Sequence, residues 1–88
     1  MHHSVKIVKA AEMDIRVAFL WYEDHLENLG SLFEENVYQA ITNIQNNSLK
    51  FQSRYGKTRI YFIRRFPFGI HFQVNENQTL ILAVFHTP

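Results

Sequence analysis

The stretch Tyr61–Phe85, YFIRRFPFGIHFQVNENQTLILAVF, decides the fold. Arg64 and Arg65 precede a Phe66-Pro67-Phe68-Gly69 corner, and two alternating apolar runs follow, separated by Asn75-Glu76-Asn77. In the first run Ile70, Phe72 and Val74 share one face, and His71 and Gln73 the other. In the second, Leu80, Leu82 and Val84 alternate with Ile81, Ala83 and Phe85. Period-two apolar spacing around a polar turn predicts a β-hairpin. The second run is apolar on both faces, which predicts a central strand with Leu82 and Val84 in the core. Pro67 lacks an N–H for a ladder and belongs at a strand end.

Upstream, the pattern predicts a strand over Arg59–Arg65, with Arg64 and Arg65 on opposite faces. Val5–Lys9 reads as a short first strand. Between them, two helical patterns run. Ala10-Ala11-Glu12 opens the first, with Glu12 and Asp14 near its positive end. Its apolar stripe is Ile15, Ala18/Phe19, Tyr22, Leu26 and Leu29, and Gly30 reads as its C-terminal stop. Ser31 and Glu34 form a capping box for the second helix, whose stripe is Phe33, Val37, Ala40/Ile41 and Ile44. Leu49–Lys57 is expected to be irregular, with Gly56 as a turn residue. The expected fold class is α+β, in the order β-α-α-β-β-β. An N-terminal strand and an antiparallel helix hairpin pack on an antiparallel β-sheet.

A chain of 88 residues supports one domain, residues 1–88. A domain of this size buries only about 60–65% of its extended-chain surface, so its stability margin is small. Cysteine is absent, so disulfides and thiolate metal sites are excluded. No apolar run reaches the roughly 20 residues a membrane helix needs, and Met1-His2-His3-Ser4 is too short and polar for a leader. Net charge is +1, but acidic residues crowd the first half and Lys50, Arg54, Lys57, Arg59, Arg64 and Arg65 cluster in the middle. Such a split suggests one acidic face and one that suits an anionic partner. The five histidines show no metal-ligand spacing, and no Gly-rich phosphate loop or Ser-His-Asp set is present.

Several short motifs together resemble the ParE/RelE toxin superfamily, whose members include plasmid stabilisation proteins. These are Trp21-Tyr22-Glu23, then Leu29-Gly30 with Phe33, then Arg64-Arg65-Phe66-Pro67-Phe68 with Ile70 and Phe72, and a closing Ala83-Val84-Phe85-His86. Their order and spacing carry the likeness from Val5 to His86. The resemblance implies a cytoplasmic toxin of a bacterial type II toxin–antitoxin pair, needing no cofactor and bound by a cognate antitoxin. ParE-like members poison DNA gyrase; RelE-like members cut messenger RNA on the ribosome. It also allows a homodimer, a toxin–antitoxin hetero-oligomer, or an inactive member that only binds an antitoxin.

A nuclease acting through the RNA's own 2′-OH needs an acid, a base and cations at the phosphate. His86, Arg64 and Arg65 are the catalytic candidates, and Lys57, Arg59, Arg64 and Arg65 the target-binding ones. A strongly basic surface would suit ribosomal phosphates. Its lack here favours the gyrase class or an inactive form. Relatives commonly continue beyond the final His with further basic residues. Here Thr87-Pro88 follows, so weak inhibition is expected. Leu20, Trp21 and Leu32 lie off the main stripes and are the expected antitoxin-binding residues. The aromatic residues Trp21, Tyr22 and Tyr38 could stack on bases, although helical spacing more often signals packing.

Overall fold

The computed structural model describes residues 4–47, 57–75 and 78–88. The expected strand-to-helix boundary is sharp. Strand β1 (Ser4–Ile7) leads through Val8 into helix α1 (Lys9–His25). Val8 does two jobs: its N–H donates to the Ile81 carbonyl at 3.0 Å, and its own carbonyl accepts from the Glu12 N–H at 3.0 Å. Helix α2 (Leu29–Asn47) follows, then β2 (Arg59–Phe62), β3 (Phe68–Val74) and β4 (Gln78–His86). The order is the β-α-α-β-β-β expected of an α+β domain. Neither helix is long and apolar enough to cross a membrane.

The sheet order is β1-β4-β3-β2, so β4 is interior, as its two-faced apolar pattern predicts. Strands β2, β3 and β4 pair antiparallel, whereas β1 joins β4 in parallel, with Ser4 beside Gln78. Both helices lie on one face. That face carries Phe68, Ile70 and Phe72 from β3, Thr79, Ile81 and Val84 from β4, and half-buried Val5 and Ile7 from β1. Phe33, Val37, Ile41 and Ile44 of α2 close the core from the other side.

Four expectations are corrected. Leu82 is not a core residue. A register shift between His71 and Phe72 pairs Phe72 with Ile81 but His71 with Ala83, leaving Leu82 as the extra residue of a bulge. The bulge interrupts period two, so Ile81 and Val84 face the helices and Leu82 is only half-buried. Second, α1 stops at His25, and Leu26 is extended and exposed. The Glu23 carboxylate accepts the N–H groups of Asn28 and Gly30, each at 2.9 Å, while Asn28 takes a left-handed φ of 69°. Third, Glu23 therefore satisfies donors at the start of α2, and Ser31 lies inside its first turn rather than capping it. Gly30 is likewise helical. A Cβ there would stand 2.6 Å from the Phe19 carbonyl oxygen, so glycine permits the close helix contact. Fourth, β2 ends at Phe62, and Arg64 and Arg65 lie beyond it in the connection to β3. The irregular stretch expected at Leu49–Lys57 falls, Lys57 apart, outside the described residues.

Candidate functional site

The corner Phe66-Pro67-Phe68 is first a packing device. Phe66 and Phe68 are buried while Pro67 is exposed. Their rings meet Phe33 at 5.3 and 5.0 Å and Tyr22 at 4.8 and 6.2 Å, in edge-on or tilted arrangements that suit aromatic quadrupoles. Burial also pushes the Tyr22 phenol above its ordinary pKa. The Pro67 carbonyl accepts from the Thr87 N–H at 2.6 Å, which ties the segment after β4 to this corner.

Beside the corner, α1 and the end of β4 enclose an apolar groove of about 610 Å³. Val17, Trp21, Pro67, Phe68, Phe85 and His86 are among its lining residues. Trp21 is the chain's single tryptophan and is exposed, as is Phe85. The Trp21 indole stacks on His25 at 4.0 Å, and the His25 Nδ1 lies 2.7 Å from the Trp21 carbonyl oxygen, held one turn apart on α1. His86 packs edge-on against Phe68 at 5.2 Å.

Asp14 supplies a carboxylate at this groove. Its Oδ2 accepts the Val84 N–H at 3.0 Å, across 70 positions of chain. The reach of β1 explains the need: it pairs with β4 only as far as Ile81, so the next part of that edge presents an amide without a strand partner, and a buried amide requires an acceptor. On the opposite side of the sheet, His71 stands against Phe85 at 5.0 Å. Its pKa is lowered because burial disfavours the cation, an effect that the nearby Asp14 charge only partly offsets.

The sequence-predicted site residues divide between separate places. His86 lies at the apolar groove, whereas Arg64 borders a polar cleft of about 310 Å³ between α2 and β2, with Asn36, Asn43 and Tyr61. Arg64, Arg65 and Lys57 are exposed. Arg59 is half-buried opposite Phe72, and its Nε is buried with no hydrogen-bond partner among the described residues. Of the three catalytic candidates, His86 and Arg64 thus border different pockets, and Arg65 lines neither. Of the antitoxin candidates, Trp21 lines the groove and exposed Leu20 adjoins it on α1. Leu32 is half-buried against the core and faces a different depression, on α2. Asp14 was missed, because an acidic residue near a helix start reads as a dipole partner. Among the described residues no cluster of His, Asp and Glu could hold a metal ion.

No family model matches the chain, and no curated protein matches its sequence. Solved structures do match. A chain of the chromosomal ParDE toxin–antitoxin system from P. aeruginosa superposes with a TM-score of 0.83 at 18% identity, covering 97% of this chain and 96% of that one. A chain of the RelBE2 toxin–antitoxin complex from Mycobacterium tuberculosis superposes at 0.63 and 17% identity, covering 98% and 99%. The protein has the ParE/RelE-type fold over nearly its whole length.

Proposed function

We propose that this chain is the toxin of a type II toxin–antitoxin pair, ParE-like, acting on DNA gyrase and held inactive by a cognate antitoxin. One observation carries the reading. A fold shared end to end with a chain of a ParDE system presents an open apolar groove beside exposed Trp21 and Phe85. An amphipathic antitoxin segment lays its apolar side into that groove, with Trp21 and Phe85 as anchors and Leu20 at the rim. Two facts support the gyrase side over the ribosome. A ribonuclease needs its acid, base and phosphate-binding cations in one place, and here His86 and Arg64 border separate pockets. The net charge of +1 also offers little general attraction to ribosomal phosphates.

The test runs the purified chain against both targets at matched concentration. Inhibition of gyrase supercoiling without codon-positioned cuts in ribosome-bound message is the expected result. Cuts abolished by His86→Ala would assign the chain to the ribonucleases instead. Activity on neither target, with antitoxin binding retained, would leave an inactive family member.

A further inference from the structure

Four of the eight large apolar side chains exposed among the described residues lie on α1: Met13, Val17, Leu20 and Trp21. They are more than half exposed, at 55%, 62%, 51% and 57%, so no described residue covers them. The core side of the same helix is Ala11, Ile15 and Ala18. Ala10, Met13, Val17 and Leu20 fall at the three-then-four spacing of a helix-pairing seam, and Asp24 occupies the next position. The helix thus carries two apolar stripes on opposite sides, and only one has a partner among the described residues. A patch of this kind marks an association surface.

Charge decides the occupant. Exposed Lys9 stands at the start of α1, and exposed Asp24 near its end. We infer that the outward face of α1 pairs antiparallel with α1 of a second copy of this chain, about a two-fold axis between Arg16 and Val17. Centred there, Met13 of each copy meets Leu20 of the other, and Lys9 of each meets Asp24 of the other. Val17 lies beside its own counterpart, one residue's rise away along the helix. A parallel pair would instead set Lys9 beside Lys9 and Asp24 beside Asp24, and would lay the two helix dipoles side by side in the same direction. Arg16 falls near the axis with Glu12 one turn earlier on its own helix to offset it. The contact is isologous, as closed two-fold symmetry requires. The seam spans little more than two heptads. The pair therefore belongs with small, reversible interfaces, below about 1,200 Å² of total buried surface. The groove proposed for the antitoxin lies on the flank of this seam and shares Val17 with it. The pairing itself does not depend on the toxin reading.

Sedimentation velocity of the full chain without antitoxin tests this, because its outcome is separate from any activity or antitoxin assay. Reversible dimerisation with rising concentration is expected. Val17→Asp and Val17→Lys should each weaken it at least about tenfold, by setting like charges face to face. Mixing the two variants should restore it, because residue 17 then meets the opposite charge. Lys9→Glu should weaken the dimer, and adding Asp24→Lys to the same chain should recover it. Circular dichroism should show native helix content in all variants, since these side chains are exposed. A chain that stays monomeric up to about 1 mM, the weak end of measurable affinity, would overturn the proposal. So would a dimer indifferent to both Val17 variants, or variants that fail to recover on mixing.

Discussion

The two helices are neighbours of similar length and opposite habit. Helix α2 buries Gly30, Phe33, Val37, Ala40, Ile41 and Ile44, and Tyr38 is its one exposed large apolar side chain among the described residues. Helix α1 fully buries only Ala11, Ile15 and Ala18, half-buries Phe19 and Tyr22, and shows Met13, Val17, Leu20 and Trp21 to solvent. Large side chains on the core side contribute more burial, at about 25 cal/mol per Å². Helix α2 is therefore the principal helical source of stability, and α1 is held by smaller buried side chains, by the half-buried Tyr22 ring and by polar links to its neighbours. The difference teaches that apolar content does not measure a helix's share in folding; the side on which the large residues stand does.

The widest gap tests that contrast directly. Phe33→Ala on α2 should cost about 3–5 kcal/mol, the range for a buried aromatic, and Leu20→Ala on α1 less than about 0.5 kcal/mol, as at an exposed site. Urea unfolding measures both, and similar losses would erase the distinction. Next comes Asp14→Ala. It strips the acceptor from the Val84 amide and should cost about 1–3 kcal/mol. A neutral result in the same assay would show that α1 does not depend on this link. A comparable loss of about 1–3 kcal/mol is expected from Gly30→Ala, through crowding at the helix contact. There the melting temperature should fall while helix content at low temperature persists.

The smallest effect is a pH dependence from His71. Burial lowers its folded pKa, so the unfolded chain binds this proton more readily than the folded one. Stability should then rise with pH up to the ordinary histidine value of about 6.5 and decline below it. His71→Gln should flatten that part of the melting profile. Asp14→Asn should steepen it, because the offsetting negative charge is gone. An unchanged profile in both variants would remove His71 from the acid response.

The contrast between helices also shows where sequence reading succeeds. The α2 stripe is legible because its large residues repeat at helical spacing on one side. The end of α1 is not, since Leu26 and Leu29 continue the spacing after the Glu23 carboxylate has redirected the chain. The β3–β4 hairpin is legible from its alternation. The bulge is not, because an inserted residue leaves an uninterrupted apolar run and reveals itself only in the pairing register. Leu82 was misplaced for that reason. No local pattern announces that β1 pairs in parallel with β4. At the candidate site, Trp21 stands out as an aromatic off the inner stripe. Asp14 does not, because its partner amide is 70 positions away.

That parallel pairing of β1 with β4 bears on the order of events when the chain first becomes compact. One of the two interior strands of the sheet is the last element in the sequence, and it lies between the first strand and β3. The helix hairpin can form from local contacts alone, but its sheet cannot be completed until residues 78–86 arrive. Closing so long a loop delays the rewarding contacts, a property associated with slower folding. During synthesis at about 5–20 residues per second, the chain spends seconds with both helices made and no central strand beneath them. A partner that recognises the finished groove, which needs Phe85 and His86 as well as Trp21, has nothing to grip until that strand is in place.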